Sequence, residues 1–230
     1  MALGLGTSSI LLYSCIKAIF MFCNKDFTDI ELFHITTCAE QILNTGGGYQ
    51  DAIGSCYNGF RLIHFSPGLL PLINCEPIHI DFKTQQKLQD RVIFIYTGKT
   101  RVAKNLLATI MGNYMNNDTN TILTLKDIGL TALDMKKNLL DGDLKTFSQN
   151  MIKSFNLNIS LNKNFSNNTI DSILNFFSEY SDGYMLSGAG NGGFLTILLN
   201  DCTNKEYIIK IFNSKFKDSN IELYDFNIIF

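Results

Sequence analysis

The residue types and spacings that could do chemistry are concentrated between Gly4 and Asp51. Asp51 stands just beyond three consecutive glycines, Gly46, Gly47 and Gly48, in the stretch E-Q-I-L-N-T-G-G-G-Y-Q-D that begins at Glu40. A glycine triplet weakens helix and strand alike, so its use is a sharp turn or a close approach of backbone to ligand. A carboxylate just past such a turn can face a cleft. Glu40 falls near the end of an amphipathic segment that opens with the capping box Thr28-x-x-Glu31 and stops at the Gly46 turn. Two acids could then converge on one site, the plain alternative being a helix, a loop and a solvated aspartate. Upstream, Gly4-Leu5-Gly6-Thr7-Ser8-Ser9 runs straight into a helical segment. Amide N–H groups at a helix start, the positive end of the helix dipole and three hydroxyls make an anion site suited to phosphate. An ordinary N-cap explains the same residues.

The elements that must position these groups follow from periodicity. Ile10 to Cys23 is an apolar run read as a helix. No positive segment precedes it, Lys17 interrupts it and Cys23-Asn24-Lys25-Asp26 lacks the small residues of a cleavage site, so a signal peptide is rejected, and the run is too short to span a bilayer. Residues 60–65 and 70–80 read as strands around a Ser66-Pro67-Gly68 turn, with His64 and His79 as half-buried sheet histidines. Arg91 to Gly98 is a continuous apolar run expected to be a buried strand. It breaks into Lys99-Thr100-Arg101, where a helix starts; cations there could meet an anionic or polyhydroxyl substrate, or stand in solvent. Helical spacing covers 127–140 and 144–155 around the turn Asp141-Gly142-Asp143, an Asn-rich loop is expected over 156–168, and a further helix over 169–180 with Phe176 and Phe177 in the core. Ser187-Gly188-Ala189-Gly190-Asn191-Gly192-Gly193 then leads into a strand at 195–200, the glycines marking close packing on a ligand or on another backbone, or else a hairpin turn. A helix at 205–216 and a strand at 221–230 close the chain. Strand, helices, glycine loop, strand, helix and strand make an α+β arrangement of the split βαβ kind.

Composition sets the outer bounds. The chain has 230 residues, 46% of them hydrophobic, enough for one large domain or two small ones. A formal net charge of −2 with 17% charged residues leaves no basic footprint for nucleic acid. Six cysteines without a CxxC pair and three histidines give no zinc spacing, which fits a reduced, cytoplasmic chain. No membrane partner is expected.

The four segments G-L-G-T-S-S-I at 4–10, E-Q-I-L-N-T-G-G-G-Y-Q-D at 40–51, Y-T-G-K-T-R-V-A-K-N-L-L at 96–107 and S-G-A-G-N-G-G-F-L at 187–195 together resemble the GHMP kinase superfamily, in its L-fucokinase branch. The resemblance runs through the whole chain in order. It implies an α+β GHMP kinase fold, with a truncated ribosomal S5 domain 2-like N-terminal part over residues 1–86 and a ferredoxin-like C-terminal domain over residues 87–230. It implies ATP-dependent phosphorylation of the anomeric hydroxyl of L-fucose, with magnesium (Mg2+). Gly4, Gly6, Thr7, Ser8 and Ser9 would wrap the ATP phosphates, Ser9 and Glu40 would hold the metal, and Asp51 would orient or deprotonate the sugar hydroxyl. Gly47, Gly48, Lys99, Arg101, Gly188, Gly190 and Gly192 would shape the sugar site. A heptose-7-phosphate kinase shares the G-G-G-aromatic-Q-D arrangement, and a non-catalytic remnant is the other alternative. The superfamily's first substrate-binding motif lies upstream of the phosphate loop, where only Met1 to Leu3 precede Gly4, so the chain is expected to be incomplete at its N-terminus. Tyr49 stands where the family usually has Trp, Ala52 where it has Gln and Asn191 where it has Gly. Asn156 and Ile159 lie where family members tend to carry an aromatic and a lysine.

Overall fold

The computed structural model describes residues 6–42, 49–54, 56–66, 72–99, 103–224 and 226–228, with the backbone alone over 103–106. Helix α1 (Thr7–Phe22) and helix α2 (Asp29–Ile42) pack on one another, and the short α3 (Gln50–Gly54) sits against both. The capping box starts α2 as its spacing requires: the Thr28 amide donates to Glu31 Oε2 at 2.7 Å and the Glu31 amide to Thr28 Oγ1 at 3.2 Å. Strands β1 (Arg61–Ser66) and β2 (Leu72–Pro77) form an antiparallel pair with Arg61 opposite Pro77 and Ser66 opposite Leu72. Phe33, Ala52 and Ile53 are the buried centre of this half, and Tyr49, Tyr57, Ile63 and Cys75 pack around them. Tyr49 places its ring 6.0 Å from Phe33 and 5.2 Å from Phe65, so an aromatic at this position is a packing residue.

The second half is built on a four-stranded sheet. Helix α4 (Phe82–Arg91), capped where Asp81 accepts from the Thr84 amide, delivers the chain into β3 (Val92–Tyr96). Helices α5 (Ala103–Met115), α6 (Thr119–Leu140), α7 (Leu144–Leu161) and α8 (Asn168–Phe177), with a 3-10 turn at Lys163–Phe165, lead to β4 (Ser181–Leu186) and β5 (Phe194–Leu199). Helix α9 (Lys205–Lys215) and β6 (Glu222–Tyr224) follow, and the sheet order is β4-β5-β3-β6 with every described pairing antiparallel. That is the ferredoxin-like order, with its first crossover enlarged to four helices. The α+β expectation holds. The apolar run of β5, F-L-T-I-L-L, is interior because helices cover both faces: Ile197 and Leu199 join the cluster of Phe155, Ile173, Phe177 and Phe212, while Leu198 joins Leu88, Leu139 and Phe147. Arg91, 9% exposed at the α4–β3 junction, is fully committed: its Nη2 meets Asp182 at 2.6 Å, its Nη1 meets Asp201 at 2.7 Å, and its Nε donates to the Leu199 carbonyl at 2.7 Å. One buried cation thereby ties together both ends of the β4–β5 hairpin.

Several boundaries differ from the sequence reading. The Asn-rich loop expected over 156–168 is helical as far as Leu161, because Phe155 and Ile159 pack on the apolar cluster and the cost of asparagine inside a helix is only a few tenths of a kcal/mol. Asn162 and Asn167 act as caps instead, accepting from the amides of Asn164 and of Thr169 and Ile170. The helix expected to begin at residue 127 begins at Thr119, where Asp118 accepts from the Thr121 amide. Strand β4 was not recognised, and the helix before it stops at Phe177. The final strand is short: residues 226–228 leave the sheet, and Phe226 turns its ring onto Phe94 at 5.3 Å. His64 and His79 are exposed, and His79 lies past the end of β2. The Pro67-Gly68 turn lies outside the described residues.

Candidate functional site

The start of α1 and the start of α3 meet. Gly6 takes φ 63° and ψ 20°, the left-handed conformation that glycine adopts without strain, and no side chain caps the helix that begins there. A Cβ at Gly6 would stand 3.1 Å from Asp51 Cβ and 3.3 Å from Asp51 Cγ. The loop therefore needs glycine twice, for its dihedral and for its approach to the acid. Asp51, in the first turn of α3, is exposed into a cavity of about 590 Å³. Ser187 and Gly188 from the β4–β5 loop, Ser154, Phe155 and Asn158 from α7, and Arg61 from β1 complete its walls. Residues far apart in the chain, Gly6, Asp51 and Gly188, thus line one space.

Ser9 and Glu40 are not among the residues that line this cavity. Ser9 is 1% exposed, and its Oγ donates to Glu40 Oε1 at 2.5 Å, joining α1 to α2. On α2, one turn before Glu40, the Thr36 and Thr37 hydroxyl oxygens are buried without a hydrogen-bond partner among the described residues. The Ser9 hydroxyl and the Glu40 carboxylate are hard oxygen donors of the kind that fits Mg2+, which binds through few protein oxygens and keeps water and phosphate oxygens as its other ligands. Among the described residues no group of three His, Cys, Asp or Glu side chains could hold a metal ion by itself. Thr7 and Ser8 are exposed on the first turn of α1.

Other expected site residues lie elsewhere. Lys99 is exposed at the end of β3, and its carbonyl accepts from the Gly193 amide at 3.1 Å. It borders a separate cavity of about 430 Å³ with Thr169, Ser172 and Asn220. Gly190 (φ 94°) and Gly192 (φ 144°) pack on the protein itself: a Cβ would overlap the Phe165 ring in one case and stand 2.8 Å from the Lys99 carbonyl oxygen in the other. Asn191, where the family has glycine, takes φ 59°, and asparagine is among the few residues that visit the left-handed region readily. Ala52 is fully buried and turns away from the cavity into the Phe33 core. Gly4, Gly47, Gly48 and Arg101 lie outside the described residues.

Sequence reasoning missed Arg61, Tyr57 and Asn158 as lining residues. Arg61 Nε donates to the Asn58 carbonyl at 2.8 Å, its guanidinium lies 4.7 Å from the centroid of the Tyr57 ring, and Nη1 reaches Cys75 Sγ at 4.0 Å. Its only signal was a cation at the start of an apolar strand, which is commonly a solvated end. Burial, and then the charge of Asp29, pushes the Tyr57 phenol above its ordinary range. The same two causes push the Cys56 thiol up to about 11, which keeps it protonated and poorly nucleophilic.

Comparison with known proteins accords with this geometry. Residues 1–59 match the GHMP kinases N terminal domain. The chain is 33% identical over 200 residues to the L-fucokinase/L-fucose-1-P guanylyltransferase of Bacteroides fragilis, covering 86% of this chain and 21% of that protein. It is 28% identical over 221 residues to the bifunctional fucokinase/GDP-fucose pyrophosphorylase of Arabidopsis thaliana, covering 91% of this chain and 21% of that protein. The chain therefore spans about a fifth of the length of these curated relatives. Its fold superposes on the mevalonate kinase of Methanococcus jannaschii with a TM-score of 0.70 at 19% identity, over 100% of this chain and 66% of that one.

Proposed function

We propose that this chain, which carries a GHMP kinase N-terminal domain and has the GHMP kinase fold, transfers the γ-phosphoryl group of ATP to a sugar, with the anomeric hydroxyl of L-fucose as the acceptor. The observation that carries the reading is the convergence of Gly6, Asp51 and Gly188 on one cavity. Phosphoryl transfer asks a protein for positioning and charge neutralisation more than for covalent chemistry. The amides at the start of α1, reached through the left-handed Gly6, cradle the ATP phosphates. Asp51 accepts the proton of the acceptor hydroxyl as its oxygen bonds to the γ-phosphorus, and the bond from that phosphorus to the leaving ADP oxygen breaks. Ser9 and Glu40 would hold Mg2+, which supplies charge neutralisation at the phosphates. Ser187 and Gly188 shape the acceptor side from the C-terminal half. Residues 1–86 act as the nucleotide-binding part and residues 87–230 as the C-terminal domain. The fucokinase names of the curated relatives support L-fucose as the acceptor.

The test is ADP release from Mg·ATP with L-fucose, D-mannose, D-galactose and heptose 7-phosphate offered separately. Turnover on L-fucose, reduced about 10²- to 10⁴-fold by Asp51→Ala, is the expected result. Turnover on heptose 7-phosphate alone would move the acceptor to a sugar phosphate. A folded chain inert with every sugar would contradict catalysis by this polypeptide.

A further inference from the structure

Arg61 is the single cation among the described residues that line the Asp51 cavity, and Asp51 is the single carboxylate. The guanidinium is held on three sides, by the Asn58 carbonyl at Nε, the face of the Tyr57 ring and the Cys75 sulfur at Nη1. None of these three contacts is with a carboxylate. Among the described residues Arg61 forms no ion pair, and Nη2 makes no hydrogen bond. The contrast within the same molecule is Arg91, whose guanidinium meets two carboxylates and a carbonyl. Withdrawing a guanidinium partly from water and fixing its orientation without a counter-anion is unfavourable unless an anion arrives to complete it. The planar N–H fork of arginine matches the oxygens of a phosphoryl group in a two-point contact.

We propose that Arg61 binds the equatorial oxygens of the γ-phosphoryl group and neutralises its charge during transfer. This rests on the kinase reading and adds to it a catalytic residue from β1 that none of the glycine motifs contains. The acid and the cation line one cavity, so an anion bound there meets both. On one side Asp51 takes the acceptor's proton; on the other, Arg61 takes the charge that accumulates on the phosphoryl oxygens. L-Fucose has no anionic group, which leaves the phosphoryl group as the anion for this site to receive. Tyr57 serves as the platform that fixes the guanidinium plane.

Arg61→Met and Arg61→Lys test the assignment by two readouts, kinetics with Mg·ATP and L-fucose, and the ratio of ATP to ADP affinity by calorimetry. In Arg61→Met, kcat is expected to fall about 10²- to 10³-fold, the KM for L-fucose to stay within about twofold, and the preference for ATP over ADP to shrink about tenfold. Arg61→Lys keeps the charge and loses the fork, so it falls between the two; it carries the test if the methionine variant melts below the assay temperature. An unchanged kcat with an unchanged ATP-to-ADP ratio would overturn the proposal. So would a raised KM for L-fucose at constant kcat, which would make Arg61 an acceptor-binding residue. The affinity ratio keeps this proposal separable from the kinase reading. A parent chain that turns over no sugar, yet loses its ATP preference on Arg61→Met, ends the reading of autonomous catalysis and leaves the Arg61 contact standing. A parent chain that binds neither nucleotide ends both.

Discussion

Gly6→Ala separates the structural role of the glycine before α1 from the chemical role proposed for it. The substitution places a Cβ on a residue at φ 63°, a conformation that costs a non-glycine residue about 1–2 kcal/mol. The new atom also stands 3.1 Å from Asp51 Cβ and 3.3 Å from Asp51 Cγ, closer than ordinary van der Waals contact, so the carboxylate must move by a few tenths of an ångström. For a chain of this size the first effect lowers Tm by roughly 2–8 °C. If a displacement of 1 Å costs about 10²-fold, a shift of a few tenths costs roughly threefold to tenfold in kcat. Thermal melting followed by circular dichroism and a coupled ADP assay read the two effects independently. Gly54→Ala is the control: it lies at the end of the same short helix as Asp51, borders the same cavity, and a Cβ there meets nothing within 4 Å. Its rate is expected to stay within about twofold of the parent. A Gly6→Ala variant as stable and as active as the parent would refute both the left-handed loop and its contact with the acid.

Two further glycines predict opposite signs. Gly183→Ala puts a Cβ 2.5 Å from the Ser148 carbonyl oxygen and 2.8 Å from Ser148 Cα, backbone that cannot yield, so urea unfolding should show a loss of about 1–3 kcal/mol, whereas Gly129→Ala, exposed inside α6 with nothing within 4 Å, should gain about 0.5–1 kcal/mol. The helix caps make stability depend on acid: hydrogen bonds from Thr84, Thr121 and Thr146 lower the carboxyls of Asp81, Asp118 and Asp143 below their ordinary value of 3.8. Their contribution is present above that value and is lost as pH falls through the lower folded values, so Tm should drop below about pH 4, less steeply in Asp81→Asn, while an Asp81→Asn curve parallel to the parent would refute the link.

The glycine turn into α1, the capping box and the buried strands β3 and β5 were legible because each rests on local rules: glycine before a helix, a reciprocal cap, an apolar run with polar ends; the ferredoxin-like domain was legible only through the resemblance to the GHMP kinases. Asp51 was legible from the glycine triplet beside it, though its contact with Gly6 belongs to the fold. What escaped depends on burial that local pattern does not report. Strand β4, S-D-G-Y-M-L, looks like a turn, and its role comes from pairing with β5 and from Gly183 lying against α7. The Asn-rich end of α7 looked like a loop until Phe155 and Ile159 entered the core. Four glycines in one loop fitted packing on a ligand, packing on another backbone or a hairpin turn, and the fold divides them: Gly188 lines the cavity while Gly190 and Gly192 accommodate Phe165 and Lys99. Arg61 carried no motif at all, and only the absence of a counterion among the described residues around it, seen in three dimensions, sets it apart.

Phosphorus NMR of the parent chain incubated with Mg·ATP and L-fucose tests the central claim most directly, because it reads the bond that forms. The account predicts a new sugar phosphate resonance coupled to the anomeric proton, growing as the γ-phosphate of ATP declines and failing to appear with Asp51→Ala. ATP consumed to inorganic phosphate with no sugar ester, or an ester formed equally well by Asp51→Ala, would contradict it.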